Sequence, residues 1–147
     1  MPDVVIYADT TRSPEMRHEV PISIGDPFLY VERNGTRHVV VSSLELSRAR
    51  AIPGGVEAHA YEEFGWDELI AEGLPREEVE LRLAVNACKA LALTDAIVPS
   101  TFPLEVADRL REAGVQVRAD HQAFARRRRV KTDAELAGIR RAQRAAE

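Results

Sequence analysis

The sequence predicts an α/β domain of three layers, in which a mixed, mostly parallel six-stranded sheet carries helices on both faces. Two apolar segments, residues 28–33 and 36–42, are joined by Asn34-Gly35, the pair that best tolerates the positive φ angles of a type I′ turn. They therefore predict a β-hairpin. Both faces of this hairpin are apolar, so layers must cover both, which places the hairpin at the centre of the sheet. Alternating strand and helix patterns later in the chain predict parallel neighbours.

The two-residue turn also predicts the pairing of the hairpin strands. Arg33 lies opposite Thr36, and the register continues to Leu29 opposite Val40. Because side chains alternate along a strand, one face of the hairpin receives three apolar residues and the other four. The first set is Leu29, Val31 and Val40, and the second is Phe28, Tyr30, Val39 and Val41.

The other elements follow from apolar periodicity and from turn formers. Short β-branched runs predict strands at residues 4–8, 56–61, 96–98 and 115–118. Helices are predicted at 44–50, at 64–71 with Leu69 and Ile70 inward, from Pro75 onward, and at 103–113. The helix from Pro75 carries one apolar stripe, which consists of Val79, Leu83, Ala84, Ala87, Cys88 and Leu91. On that stripe Cys88 is interpreted as a buried packing residue.

Residues 9–27 are predicted to form a long loop between the first strand and the hairpin. The segment contains three prolines and a glycine, with only short apolar pieces to anchor it. Loops of this length in compact domains are commonly functional or disordered. A plain surface connection explains the segment equally well.

Composition limits the classes of function. With 147 residues, 45% of them hydrophobic, the chain is long enough for one well-buried core. A net charge of -4 argues against general nucleic-acid binding, which requires concentrated positive charge. The single cysteine, Cys88, excludes an internal disulfide and fits a reducing, cytoplasmic setting. No apolar run approaches the roughly 20 residues of a membrane span, and the first residues do not resemble a signal peptide.

The sequence contains no motif that predicts a catalytic or a metal-ligating residue in this chain. Nucleotide-binding glycine motifs, H-E-x-x-H, G-x-S-x-G and paired-cysteine motifs are absent from the sequence. The four histidines, His18, His38, His59 and His121, are scattered, and none stands at metal-ligand spacing from another. One enzymatic alternative stays open, a small-molecule hydrolase that uses His18 and carboxylates of the loop.

The segment 126–147 carries the strongest functional signal. It starts with four arginines and continues as a helix, in which Thr132 and Glu135 have capping-box spacing. Leu136 and Ile139 begin a narrow apolar stripe, and no stop signal ends the helix, so we expect a further domain to cover the stripe. The arginines are interpreted as an interdomain linker that pairs with nearby acids. The alternative is a stand-alone interaction module whose basic tail binds an acidic partner.

The sequence RRVKTDAEL at residues 128–136, followed by IRRA at 139–142, resembles a known junction signature, R-x-x-K-[ST]-x-x-E-[IL]-x-x-[IL]-R-x-A. It is the domain-junction signature of the creatinase, prolidase and aminopeptidase P family of "pita-bread" metallopeptidases. The junction positions singled out here are Arg128, Lys131, Thr132 and Glu135. The resemblance implies a creatinase-type N-terminal α/β domain over residues 1–125. Residues 126–147 would then be the linker and the first helix of a truncated catalytic domain.

The resemblance also implies a function for the parent protein. Such a Xaa-Pro peptidase hydrolyses the bond before proline in peptides with proline at the second position. It uses two divalent ions, manganese or cobalt, that two Asp, one His and two Glu of the C-terminal catalytic domain hold. This chain would be the non-catalytic half, without its own cofactor, and would support homodimerisation and substrate access. Arg17 and His18 are candidates for substrate contact in the partner subunit. A creatinase-like amidinohydrolase parent stays open.

Overall fold

The computed structural model describes residues 2–131 and 133–146 and contains the predicted six-stranded sheet. The strands are β1 (Asp3–Ala8), β2 (Phe28–Arg33), β3 (Thr36–Val41), β4 (Glu57–Ala60), β5 (Asp95–Val98) and β6 (Gln116–Ala119). Their spatial order is β4-β3-β2-β1-β5-β6. Only the two pairs that involve β2 are antiparallel, so the other five strands run in one direction. The prediction of a mixed, mostly parallel sheet is confirmed.

Seven helices form in the described residues. They are α1 (Pro14–Glu19), α2 (Leu46–Arg50), α3 (Trp66–Ala71), α4 (Arg76–Ala90), α5 (Leu104–Glu112), α6 (His121–Arg129) and α7 (Asp133–Ala146), with 3-10 turns at Ser43–Glu45 and Tyr61–Phe64. No helix in this part of the chain combines the length and the apolar character that a bilayer crossing requires. Two of the seven, α1 and α6, were not predicted.

The prediction of a continuous loop over residues 9–27 is wrong at its centre, where α1 forms. The side chain of Ser13 caps this helix by accepting a hydrogen bond from the Met16 backbone N–H at 3.1 Å. Pro14 occupies the first helical position, which needs no N–H donor. Met16 is fully buried and fastens the helix to the sheet. Tertiary burial of one residue thus stabilises a helix too short to be stable alone.

The hairpin has the predicted register. Leu29 pairs with Val40 and Arg33 with Thr36, and the three pairs between them also have the predicted register. At the turn, Asn34 has a φ of 50° and Gly35 a φ of 81°, the left-handed region that the two-residue connection requires. The local pattern is therefore enough to set the alignment of the two strands.

Both faces of the sheet are covered, as predicted from the apolar hairpin. The α4 face of the sheet packs against α4 and α5, and its buried residues include Val5, Leu29, Val31, Val40, Ala84, Cys88, Val106 and Leu110. The α6 face packs against α1, α2 and α6, and its buried residues include Val4, Ile6, Met16, Tyr30, Val39, Ala49 and Phe124. The hairpin contributes to both cores, which confirms its central position.

Five of the six residues of the predicted α4 stripe are buried, and the sixth, Leu91, is half-buried just after the helix ends, whereas one prediction for α3 is wrong. Burial raises the pKa of the Cys88 thiol to about 12, which agrees with a packing role and keeps the thiol protonated. In α3, Leu69 is buried as predicted, but Ile70 is 48% exposed. Neighbouring residues on a helix point about 100° apart, so a one-sided surface helix cannot bury both.

Candidate functional site

The basic run forms the last turn of a helix that is packed on the domain. Asp120 caps α6 by accepting a hydrogen bond from the Ala123 backbone N–H at 3.0 Å. One turn further on, Phe124 is 2% exposed and lies in the core of the α6 face. Residues 126–129, which we interpreted as a linker, therefore belong to a helix that the sheet anchors.

Arg127 is the charged centre of this anchor. Its Nε donates to Glu19 at 2.9 Å, and its Nη2 donates to Glu32 at 2.6 Å. The side chain is 23% exposed, and the two carboxylate side chains are 10% and 16% exposed. Burial alone lowers the pKa of Arg127, but the hydrogen bond to Glu32 and both negative charges outweigh burial and raise it. The guanidinium is thus a permanently charged bridge between α6, α1 and β2.

Tyr30 and Arg37 extend the same network into the sheet. The Tyr30 hydroxyl lies 3.2 Å from Glu19 and 3.0 Å from Glu32, and it accepts a hydrogen bond from Arg37 Nε at 3.3 Å. Arg37 also donates to the backbone carbonyl of Glu19. Burial first, and then the Glu19 charge, raise the pKa of Tyr30, so the hydroxyl keeps its proton and can donate it.

The structure brings three of the predicted site residues together around α1. Arg128 lies 3.7 Å from Glu15, and His18 Nδ1 lies 2.7 Å from Glu135 at the start of α7. The Nε of Arg128 is buried, with no hydrogen-bond partner among the described residues. These contacts join α1 to both helices of the predicted junction.

The other predicted site residues are not brought into this network. Arg17 is exposed on α1, and Lys131 is exposed between α6 and α7. Thr132, the predicted cap, lies outside the described residues. Paired guanidinium and carboxylate groups stay charged and position elements of structure, so the arrangement is suited to a rigid junction more than to proton transfer.

Two histidines that sequence reasoning treated as scattered lie side by side. His38 Nδ1 is 3.0 Å from His59 Nε2 and 3.5 Å from a carboxylate oxygen of Glu57. Burial lowers the pKa of His38, the Glu57 charge opposes this effect, and His59 adds to it. The expectation that the histidines stand apart is wrong because β3 and β4 pair in parallel, with His38 opposite Glu57. The sequence signal that could have found this pair is the presence of one histidine in each of two successive predicted strands.

These residues do not fit the dinuclear metal set that the resemblance implies. In the described part of the chain, His38, Glu57 and His59 are the one group of three His, Cys, Asp or Glu whose ligand atoms converge, all within 4.8 Å. The implied set requires two Asp, one His and two Glu. No hydrolytic step through such a pair of ions is therefore assigned to residues of this chain.

A cavity of about 510 Å³ opens at the carboxyl ends of β1 and β3. Its walls include Tyr7, Tyr61 and Trp66, and the Arg76 guanidinium lies 5.7 Å above the Trp66 ring. Burial, and then the charge of Glu80, raise the pKa of Tyr7 to about 12. The tyrosine therefore stays neutral and can donate a hydrogen bond. Sequence reasoning missed this cavity because its lining residues are spread along the chain from Tyr7 to Ala84.

The fold is similar to that of several solved peptidase structures. Xaa-Pro dipeptidase from Bacillus anthracis matches with a TM-score of 0.61 and 13% identity, over 92% of this chain and 33% of that chain. X-Pro aminopeptidase from Thermotoga maritima MSB8 matches with a TM-score of 0.63 and 12% identity, over 95% of this chain and 37% of that chain. A proline dipeptidase from Streptococcus pneumoniae TIGR4 matches with a TM-score of 0.51 and 15% identity, over 89% of each chain.

These comparisons show the fold, which is that of the N-terminal domains of prolidase-type structures. The chain spans about a third of the length of the Bacillus anthracis and Thermotoga maritima proteins. No protein-family model matches the sequence. No curated protein matches it either.

Proposed function

We propose that this chain is the non-catalytic N-terminal domain of a Xaa-Pro metallopeptidase of the aminopeptidase P or prolidase type. The observation that carries the proposal is the extent of the fold match, which covers 92–95% of this chain but only 33–37% of the two full-length peptidases. A chain that matches only one third of such an enzyme would lack most of it, which supports a non-catalytic role.

The contacts of α6 and α7 support this proposal. Two of the predicted junction residues contact the short helix α1. Arg128 lies beside Glu15, and Glu135 binds His18. Beyond that anchor the chain exposes apolar side chains, with Val130 76% exposed and Ile139 44% exposed. Exposed apolar residues beside a rigid charged anchor suit a second domain that packs against this one.

The proposal includes the partners and the setting that the resemblance implies. The catalytic domain that follows would hold two divalent ions, manganese or cobalt, and the parent protein would form a homodimer. Its substrates would be peptides with proline at the second position. The cytoplasm is the proposed location, because the only cysteine is buried and the chain needs no disulfide.

The interaction-module alternative receives less support from the same geometry. That alternative needs an accessible cluster of positive charge, but Arg127 is bound by Glu19 and Glu32 and Arg128 lies beside Glu15. The arginines paired with acids favour the scaffold interpretation. The amidinohydrolase alternative concerns the parent, and an activity assay on creatine separates it from the peptidase.

The proposal is tested by expression of the natural reading frame through and beyond Glu147, beside the 147-residue chain alone. Both proteins are assayed with manganese or cobalt on an Ala-Pro dipeptide, on a tripeptide with proline at the second position and on creatine. We expect the extended protein to hydrolyse Xaa-Pro bonds and the isolated chain to remain at background. Hydrolysis of creatine alone would contradict the peptidase assignment. Peptide cleavage by the isolated chain, or a reading frame without the metal-ligand set, would contradict the domain assignment.

We also propose that Arg17 and His18 contact the substrate in the partner subunit, with His18 using the ring nitrogen that does not face Glu135. In the extended protein, Arg17→Ala is expected to raise KM about tenfold and to change kcat less than twofold. The reason is that an exposed guanidinium can bind a peptide carboxylate without taking part in the chemical step. The matched control is Arg12→Ala, which removes another exposed arginine five residues earlier. An unchanged KM for Arg17→Ala, or an equal rise for both variants, would refute the contact.

A further inference from the structure

Three potential metal ligands meet at the edge of the sheet that β4 forms. His38 projects from β3, and Glu57 and His59 project from β4, which is the last strand on that side. The two imidazole nitrogens are 3.0 Å apart, and the nearer Glu57 oxygen is 3.5 Å from His38 Nδ1. One nitrogen of each ring and one carboxylate oxygen thus lie within 4.8 Å of one another.

Two of the three separations between these atoms are close to those around a small tetrahedral ion. Zinc lies about 2.0–2.1 Å from imidazole nitrogen and carboxylate oxygen, so two ligands of a tetrahedral site are about 3.3–3.4 Å apart. The observed separations of 3.0 and 3.5 Å lie on either side of that value. Small side-chain rotations would therefore suffice to admit the ion.

A further carboxylate orients one of the rings. Glu63 accepts a hydrogen bond from His59 Nδ1 at 2.6 Å, so the proton of a neutral His59 ring resides on Nδ1. His59 Nε2 then accepts a hydrogen bond from His38 Nδ1 in the empty site, so His38 moves its proton to the other ring nitrogen when it binds an ion. A carboxylate on the far nitrogen of a histidine ligand is the usual outer contact of zinc sites. Phe64 lies 5.4 Å from the His59 ring and helps to hold it in place.

The site is also accessible and has the right charge. The Glu57 side chain is 63% exposed, whereas the His38 and His59 side chains are 10% and 14% exposed. An ion can therefore enter from the Glu57 side, and water can complete its coordination. The carboxylates of Glu57 and Glu63 attract a dication, and mixed nitrogen and oxygen ligands suit zinc better than magnesium or calcium.

We propose that His38, Glu57 and His59 bind one divalent transition-metal ion of the zinc type, with water as the fourth ligand and Glu63 as the outer support of His59. The ion would join β3 to β4 and to the turn at Tyr61–Phe64. It would thereby fasten a four-residue edge strand. The site lies within this chain and is independent of the proposed peptidase function, so either can fail without the other.

The test uses the tag-free 147-residue chain, since a histidine tag would itself bind metal. Zinc affinity is measured by competition with a chromophoric chelator, and the geometry is read from the visible absorption of the cobalt(II)-substituted protein. We expect one ion per chain, an intense tetrahedral cobalt spectrum and a higher Tm in zinc that a chelator reverses. A stoichiometry near zero, or only the weak octahedral cobalt spectrum, would refute the site and leave the two rings as a hydrogen-bonded pair.

Variants identify the ligands individually. His59→Ala is expected to weaken zinc binding at least 100-fold, and Glu57→Gln and Glu63→Gln about 10- to 100-fold each. Glu57→Gln is the safest variant for folding, because its side chain is largely exposed. His121→Gln is the matched control, since this exposed histidine lies outside the cluster and should leave affinity unchanged. An equal loss in the control, or full affinity in both Glu57→Gln and His59→Ala, would overturn the assignment.

Discussion

Replacement of Arg127 by alanine is expected to lower the free energy of unfolding by about 3 kcal/mol, the lower end of the range for removing one partner of a buried ion pair. Most of this loss of stability comes from the two carboxylates that are left without a positive partner. Glu19 and Glu32 are 10% and 16% exposed, so neither carboxylate can recover full hydration once the guanidinium is gone. The lower end applies because Arg127 itself is 23% exposed.

The measurement is urea unfolding at neutral pH, with Arg126→Ala as the matched control. Arg126 is the preceding residue of the same basic run and is exposed, so its removal changes the net charge equally but should cost less than about 0.5 kcal/mol. Adding Glu32→Gln to Arg127→Ala should restore part of the loss, because one stranded charge disappears. Similar stabilities for the two single variants would show that the arginine network does not anchor α6.

Local sequence pattern predicted those elements whose partners are near in sequence. Asn34-Gly35 sets both the turn and the alignment of its two strands, so the central hairpin was predicted pair by pair. The apolar stripe of α4 could also be predicted, because the start signal at Pro75 and the buried residues lie in one continuous segment. The later strand-helix-strand order then leaves few topologies for the sheet.

Elements that depend on distant partners were missed. The helix α1 has six residues, which supply too little periodicity to distinguish it from a loop, and it is stabilised by the burial of Met16 against the sheet. The pair His38 and His59 has the same origin, because only the parallel alignment of β3 with β4 brings them together. The 21-residue separation of His38 and His59 in the sequence does not predict a contact unless that strand alignment is known.

The basic run shows what charge patterns leave open. Four consecutive arginines indicate a positive segment, but not whether water, a partner or the domain itself receives each charge. In the structure, helical geometry divides them. Arg127 and Arg128 face the acids of α1 and β2, whereas Arg126 and Arg129 are exposed. The prediction that nearby acids pair with the arginines is thus confirmed for Arg127 and Arg128, which helical geometry turns toward the domain.

Phe124→Ala is expected to cost about 3–4 kcal/mol, since truncation of a buried phenylalanine loses its transfer free energy and leaves a cavity. Phe124 is the one described residue of α6 that is fully enclosed, at 2% exposure, so this ring fastens the helix to the core of the α6 face. Urea unfolding measures the loss. The control is Val130→Ala, which removes apolar atoms one residue after α6 from a side chain that is 76% exposed. It should change stability by less than about 0.5 kcal/mol.

The double variant of Phe124 and Arg127 shows how the two anchors of α6 act. If each single change loosens the helix, the second change has less left to break, and the combined loss falls short of the sum by about 1–2 kcal/mol. We expect this shortfall, because ring and guanidinium lie three residues apart, on one face of a nine-residue helix. Strict additivity would mean that α6 stays docked on either anchor alone. A loss for Phe124→Ala as small as that for Val130→Ala would contradict the packing of α6 against the sheet.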